Sequence, residues 1–213
     1  MSIRLYGWPR STASRVRWAL EELGVKYEFV TLDRKKGENR TPEYLAINPT
    51  GKVPGLVDGG QAYFESTAIT LYLGETYGSE RGLWPKAETG AAAARAEALC
   101  WTVWSTTELH AYMMQWLYHG LDTPVSYAPA DRSKATADYN HSQYLRNLDA
   151  LEARLAGRDH ILGAAFSLVD VLAASVLLSG VGLGGSVEGR QNIAAWLDRC
   201  RARPAFARIG GAG

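Results

Sequence analysis

The sequence predicts two domains, an α/β domain with a small four-stranded mixed sheet over residues 1–78 and an all-helical domain over residues 89–213. In the first part, strand patterns and helical patterns follow one another in the order βαβ and then ββα. In the second part the strand patterns stop, and only long helical patterns typical of a bundle remain. The segment between them, residues 79–88, is rich in glycine, proline and charge and is interpreted as a linker.

The first elements form a βαβ unit. Residues 3–7, IRLYG, are typical of a buried strand, and the apolar residues after Ser14 recur at helical spacing until Gly24, which is expected to end the helix. Residues 27–33, YEFVTLD, alternate and predict a second strand. This order favours two parallel strands joined by a right-handed crossover.

The rest of the first domain is expected to be a ββα unit. A short helix is predicted near PEYLAIN, and two short strands flank the hairpin signal Asp58-Gly59-Gly60. A helix that starts at Ser66 and ends by Gly78 closes the domain.

Four helical patterns make up the second domain. Ser167 and Asp170 form an S-x-x-D capping box, which is expected to satisfy the first amides of a buried helix. The four patterns are AAAARAEALCWTVWSTTELHAYMMQWLYH, SKATADYNHSQYLRNLDALEARLAG, SLVDVLAASVLL and IAAWLDRCRARPAF.

Composition excludes several functional classes. The 23 basic and 22 acidic residues leave no global basic field for a nucleic acid or an anionic membrane. Two cysteines are too few for a disulfide framework, the longest apolar stretch is interrupted by Asp170, and no signal peptide is apparent, so a cytoplasmic location is expected. The histidines show no metal spacing, and no metal is expected; they are His110, His119, His141 and His160.

Three stretches of the first domain have residues suited to a peptide-like anion. The hydroxyls of Ser11–Ser14 lie where a strand gives way to a helix, whose N-terminus attracts an anion. A cis bond at Val53-Pro54 would leave the N–H and C=O of Val53 free to pair with an extended peptide. Ser66 is a natural N-cap beside Glu65, which could receive an ammonium group. An amino-acid head group on a short peptide would fit these features.

Each stretch also has a purely structural interpretation. Ser14 could be the N-cap of the first helix, Glu65-Ser66 an ordinary helix start, and Pro54 a trans residue that opens a strand. Among the hydroxyls, Ser11, Thr12 and Ser14 are all candidates for chemistry.

The combined motifs resemble those of the cytosolic glutathione transferases over almost the whole chain. The motifs are LYGWPRSTASRVRWALEELG, NPTGKVPGLV, ESTAITLYL, FSLVDV and ARPAFAR. The sequence around GENR is most similar to that of serine-type, phi- or theta-like bacterial members. The resemblance implies a thioredoxin-like first domain, a helical-bundle second domain, and glutathione as co-substrate.

The resemblance also assigns roles within the site. It implies that Ser11 donates a hydrogen bond to the glutathione sulfur and stabilises the thiolate. It implies that Val53, before Pro54, pairs with the cysteinyl backbone. Further glutathione contacts are implied for Glu65 and Ser66 at the γ-glutamyl end, for Lys52 nearby, and for Asn39 and Arg40 near the glycine carboxylate, where Asn39 departs from the histidine of phi-like members.

The implied activity is the transfer of glutathione to a hydrophobic electrophile by substitution or addition. Trp8, Trp104 and Tyr112 are candidates for the electrophile pocket. A homodimer and a role in detoxification are implied by the family. Two alternatives remain: a specialised glutathione-dependent isomerase, dehalogenase or ether-cleaving enzyme, and a non-catalytic interaction module of the same fold.

Overall fold

The computed structural model describes residues 3–86 and 91–210. By their contacts, the residues divide into two compact units, Met1–Ala92 together with Arg203–Gly213, and Ala93–Ala202. The end of the expected linker, residues 87–88, lies outside the described residues. The boundaries expected at residues 78 and 89 stay a prediction.

The first unit contains the predicted four-stranded mixed sheet. Strand β1 (Ile3–Gly7) pairs in parallel with β2 (Tyr27–Thr31) and antiparallel with β3 (Gly55–Asp58), and β3 pairs antiparallel with β4 (Gln61–Phe64). The strand order is therefore β2-β1-β3-β4. The predicted fold class is confirmed, and the second strand ends two residues earlier than expected.

Helix α1 (Ala13–Leu23) begins earlier than the sequence predicts. Its N-cap is Thr12, so the expectation that Ser14 caps the helix is wrong. The reason is that the amide of Ser14 already donates to the carbonyl of Ser11, at 2.9 Å, within the first turn. Gly24 ends the helix as predicted, in the left-handed conformation with a φ of 60°.

The ββα part also agrees with its prediction. A 3-10 turn (Glu38–Arg40) precedes the short helix α2 (Pro42–Leu45). The two strands of the hairpin are joined by Gly59 and Gly60, both with positive φ. Helix α3 (Ser66–Leu73) continues into one widened turn over Gly74–Gly78.

The last helix, α9 (Pro204–Arg208), belongs to the first unit. The rings of Trp18 and Phe206 lie 4.8 Å apart, and Arg203 donates two hydrogen bonds of 2.7 Å to the carboxylate of Glu22. The sequence predicted one helical pattern through this region and placed it with the second domain. The helix instead breaks before Pro204, because a proline cannot continue a helix from its interior.

The second unit is helical apart from an isolated bridge between His160 and Gly163, as far as the described residues extend. The first predicted pattern forms one long helix interrupted by a widened turn. Its parts are α4 (Ala92–Trp104), the widened turn Ser105–His110 and α5 (Ala111–Gly120). The other three predicted patterns form the separate helices α6 (Lys134–Leu155), α7 (Leu168–Gly182) and α8 (Gln191–Arg201).

Helix α7 is the buried core helix that the sequence predicts. The expected capping box is present, since Asp170 accepts from the amide and the hydroxyl of Ser167. Asp170 also accepts from the indole of Trp196 and the amide of Ile161, each at 2.9 Å. Nowhere in residues 3–86 and 91–210 is a helix both long and apolar enough to cross a membrane.

Candidate functional site

Ser11 lies at the start of α1, in the turn that follows β1. Its Oγ donates to the carbonyl of Trp8 at 2.6 Å and accepts from the amide of Ala13 at 3.3 Å. The strand end and the helix start are packed closely here, because a Cβ on Gly7 would lie 2.4 Å from the Cβ of Ala13. The half-buried hydroxyl therefore lies at the positive end of a helix.

The Val53-Pro54 bond is cis, as predicted. The carbonyl of Val53 accepts a hydrogen bond of 2.9 Å from the hydroxyl of Thr12. No described residue accepts a hydrogen bond from the amide of Val53. Half-buried Val53 thus keeps an available donor, while its acceptor has one partner.

The carbonyl of Lys52 is held by two side chains that the sequence analysis missed. The hydroxyl of Tyr44 and the amide of Asn48 donate to it at 2.6 and 2.7 Å. Burial raises the pKa of Tyr44 to about 12. The signal for Asn48 was available, since an asparagine before Pro-Thr-Gly is typical of a side-chain-stabilised turn. The side chain of Lys52 itself is exposed.

Asn39 and Arg40 also bind the loop that contains Lys52. Asn39 donates to the carbonyl of Gly51 at 2.7 Å, and Arg40 donates to the carbonyl of Thr50 at 3.1 Å. A Cβ on Gly51, whose φ is 63°, would lie 2.5 Å from Nη1 of Arg40. This close approach favours glycine at residue 51. Exposed Arg40 makes its bond to Thr50 through Nη1, so its guanidinium has further N–H donors.

Glu65 and Ser66 form the start of α3. The N-cap is Glu65, whose carbonyl accepts from the amide of Ile69, so the expectation that Ser66 is the N-cap is wrong. Ser66 is instead the first helical residue and is 7% exposed. Exposed Glu65 has a φ of 66° and a ψ of 114°, a conformation that costs about 1–3 kcal/mol outside glycine.

The sheet register brings the three stretches to one end of the sheet. Tyr6 near the end of β1 pairs with Gly55 at the start of β3, and Gly55 pairs with Phe64 at the end of β4. The residues that follow β1, precede β3 and follow β4 therefore lie together at one end of the sheet. This is the arrangement that a single extended ligand requires.

The three aromatic candidates have different surroundings. Half-buried Trp8 lies in the first unit, with the guanidinium of Arg34 6.0 Å from its ring centre. In the second unit, Trp104 donates to Oδ1 of Asn147 at 2.7 Å, and Tyr112 lies edge-on to Tyr139. Their assignment to an electrophile pocket stays a prediction.

Known proteins resemble this chain throughout its length. Family models for the glutathione S-transferase N-terminal domain and C-terminal domain match residues 1–75 and 111–204. Glutathione S-transferase 3 of Zea mays is 32% identical over 211 residues, which cover 96% of this chain and 91% of the relative. Glutathione S-transferase F10 of Arabidopsis thaliana is 30% identical over 212 residues, which cover 98% and 96%.

A solved structure with glutathione bound has the same fold. The theta class glutathione S-transferase from the citrus canker pathogen Xanthomonas axonopodis pv. citri is 30% identical to this chain and superposes with a TM-score of 0.81. The superposition covers 97% of this chain and 96% of that one.

Proposed function

Because the chain belongs to the glutathione S-transferase family and has a glutathione transferase function, we propose that Ser11 is the residue that stabilises the glutathione thiolate. The observation that carries this proposal is the position of its hydroxyl, which meets the amide of Ala13 at the start of α1. Thr12, the first rival, already donates to Val53. Ser14, the second, lies inside the helix.

The energy that a serine supplies is sufficient for this role. A free thiol with a pKa of about 8.5 is only a few per cent ionised at pH 7. Lowering that pKa by about two units requires roughly 2.7 kcal/mol. A hydrogen bond to a charged group contributes about 1.5–3 kcal/mol, and the helix N-terminus adds about 0.3–1 kcal/mol.

The hydroxyl changes its acceptor when the thiolate binds. Ser11 has one proton, which it donates to the neutral carbonyl of Trp8 in the free protein. An anionic sulfur is a stronger acceptor than a neutral carbonyl. The proton therefore turns to the sulfur, and the carbonyl of Trp8 exchanges its partner for water.

The other residues at this end of the sheet hold the tripeptide. The amide of Val53, beside Pro54, pairs with the cysteinyl carbonyl, while Glu65 and Ser66 receive the γ-glutamyl ammonium and carboxylate. Arg40 binds the glycine carboxylate, with Asn39 and Lys52 nearby. The available donor of Val53 and the unused donors of exposed Arg40 support this orientation.

The thiolate attacks an electrophilic carbon of a hydrophobic second substrate. In a substitution the sulfur–carbon bond forms as the leaving group departs with its electron pair, and in an addition the electron pair moves onto the activated double bond. Trp8, Trp104 and Tyr112 are proposed to line the pocket for this substrate. We also propose a cytoplasmic homodimer with a role in detoxification, as the family resemblance implies.

The test is a calorimetric titration with glutathione, followed by a panel of halogenated, aromatic and activated-alkene electrophiles. Binding in the micromolar to millimolar range and conjugate formation support the proposal. Turnover by isomerisation, dehalogenation or ether cleavage alone would favour the specialised enzyme. Failure to bind glutathione would overturn the proposed site and favour an interaction module.

A further inference from the structure

Arg34, in the turn that follows β2, lies beside the ring of Trp8. Its guanidinium carbon is 6.0 Å from the ring centre of Trp8. The parallel pairing of β1 and β2 explains this contact, since Gly7 is in register with Thr31 and the amide of Leu32 donates to the carbonyl of Gly7 at 2.9 Å. The turns after the two strands therefore leave the sheet at the same end, which is the end of the proposed glutathione site.

Trp8 also contacts the proposed sulfur donor. Its carbonyl accepts the 2.6 Å hydrogen bond from Oγ of Ser11, so the main chain of Trp8 lies against Ser11 while its ring lies beside Arg34. The half-buried ring is an apolar surface suited to an aromatic substrate. A substrate that contacts this ring therefore comes close to both the thiolate and the guanidinium.

The guanidinium of Arg34 has no acidic partner in the part of the chain that the structure describes. Among residues 3–86 and 91–210, its side chain makes no hydrogen bond and no ion pair. A separation of 6.0 Å from the ring of Trp8 is at the outer limit of a cation–π contact, so this attraction is weak. The exposed guanidinium thus has its five N–H donors available for an acceptor.

The carboxylates of the same turn stabilise the turn itself. Asp33 accepts hydrogen bonds from the amides of Lys35 and Lys36 at 2.9 and 3.3 Å, and its carboxylate lies 3.8 Å from the ammonium of Lys36. Glu38 accepts a hydrogen bond of 2.7 Å from the amide of Asp33. Neither acidic group pairs with Arg34, so the charge of this arginine is available to a ligand.

Positive charge is concentrated on the two turns. Residues 8–12 and 32–38 together hold four basic and two acidic residues, a net charge of +2, whereas the whole chain has a net charge of +1. Arg10, one residue before Ser11, is exposed and is also without an acidic partner among the described residues. Because a local excess of positive charge attracts anionic ligands, these turns favour a substrate with an acidic group beside Trp8.

We propose that Arg34 is a specificity-determining residue that binds an acidic group of the second substrate, so that the enzyme prefers aromatic electrophiles with a carboxylate. This inference rests on the proposed function and names its substrate class. The aromatic ring packs on Trp8, and the carboxylate accepts hydrogen bonds from the planar guanidinium. In a substitution, the sulfur–carbon bond forms and the carbon–halogen bond breaks, the halide leaves with the electron pair, and the carboxylate is unchanged.

The test compares a chlorodinitrobenzoate with the chlorodinitrobenzamide of the same substitution pattern. Both compounds react by displacement of chloride, but only the benzoate is charged at neutral pH. Each kcat/KM is divided by the rate constant of the same compound with free glutathione thiolate, which removes the difference in intrinsic reactivity. The wild-type protein is expected to prefer the benzoate by about fivefold, a preference that high salt weakens because the ion pair is exposed.

Three variants test which cation is responsible. Arg34→Gln is expected to reduce the preference to about one, whereas Arg34→Lys keeps the charge and should retain part of the preference. Lys35→Gln is the matched control, because it removes an equal charge from the neighbouring exposed residue and should leave the preference unchanged. An unchanged preference in Arg34→Gln, or an equal loss in Arg34→Gln and Lys35→Gln, would overturn the role of Arg34. A loss in Arg10→Gln alone would also overturn it, because the acidic group would then bind Arg10.

Three further results separate this inference from the proposed function. If the wild-type protein conjugates both compounds with equal normalised kcat/KM, the role of Arg34 is overturned and the transferase function stands. Weaker glutathione binding in Arg34→Gln, measured by calorimetry, would assign Arg34 to a carboxylate of the tripeptide and overturn the inference. If the wild-type protein does not bind glutathione, the proposed function itself fails.

Discussion

The hydroxyl of Thr12 donates a 2.9 Å hydrogen bond to the carbonyl of Val53, so the residue next to Ser11 holds the loop that precedes β3. Two segments that are 41 residues apart in the sequence are thereby fixed relative to each other. The distance between the proposed sulfur donor and the proposed backbone contact depends on this bond.

Thr12→Val should therefore weaken glutathione binding while leaving the thiolate chemistry largely intact. Loss of the bond removes about 1 kcal/mol and loosens the loop, so we expect KM for glutathione to rise about fivefold with little change in kcat. Thr12→Ser keeps the hydroxyl and should behave like the wild type. Equal KM values in all three proteins would show that the bond does not position the site.

Ser11→Ala should lower turnover by about 10- to 100-fold, because about 1.5–3 kcal/mol of thiolate stabilisation is lost. The pKa of the bound thiol should rise, while glutathione affinity stays within a few-fold. Steady-state kinetics and a thiolate absorbance titration measure the two effects. Ser14→Ala is the matched control, since its hydroxyl lies within α1. Full activity in Ser11→Ala together with a folded, inactive Ser14→Ala would contradict the assignment.

Glu65 should combine a binding role with a strained backbone. Glu65→Ala and Glu65→Gly both remove the proposed ammonium contact and should weaken glutathione binding by about tenfold in a calorimetric titration. The glycine variant should be more stable than the alanine variant by about 1 kcal/mol, because glycine adopts a φ of 66° without strain. Ser66→Ala should also weaken binding, and Thr67→Ala is the control.

Unchanged affinity in Glu65→Ala and Ser66→Ala would remove the γ-glutamyl contact from the site. Equal melting temperatures for Glu65→Ala and Glu65→Gly would show that the backbone at residue 65 stores no strain.

The sequence predicted elements wherever local signals were sufficient. The Gly59-Gly60 hairpin, the end of α1 at Gly24 and the Ser167–Asp170 box each depend on residues within a few positions of one another. Helix starts were less predictable. At both Ser14 and Ser66 a hydroxyl suggested an N-cap, but the position of the cap depends on which carbonyl accepts the first helical amide.

Long-range partners could not be predicted. The pair Thr12–Val53 forms because the sheet brings the segment after β1 and the segment before β3 to one end. Such relationships arise from packing and have no local pattern.

Arg203→Ala should destabilise the protein by about 3 kcal/mol, measured by denaturant unfolding. The side chain of Glu22 is 5% exposed, and the loss of both hydrogen bonds from Arg203 would leave a buried carboxylate poorly compensated. Arg208→Ala is the control. Its ion pair with Glu21 is more exposed, so the expected loss is within about 1 kcal/mol. Similar losses of unfolding free energy in the two variants would show that the burial of Glu22 does not determine how much its ion pair with Arg203 stabilises the protein.

Tyr44 should make the protein less stable in alkali. Its pKa of about 12 in the folded state exceeds the ordinary value of about 10. The folded state therefore retains the phenol proton more strongly, and this stabilisation is complete below about pH 10 and is lost as the pH rises toward about 12. Melting temperatures at pH 8–12 should fall less steeply for Tyr44→Phe, which at neutral pH should cost about 1 kcal/mol. Parallel curves would exclude the contribution of Tyr44.

The contact between α9 and α1 has a consequence for biosynthesis. Glu22 and Arg203 are 181 residues apart, and at about 5–20 residues per second the ribosome takes about 10–40 s to make the intervening chain. Throughout that interval the nascent polypeptide displays Trp18 and the carboxylate of Glu22 without their cover. The first unit thus begins to emerge before the second yet is completed last, when translation has passed Phe206.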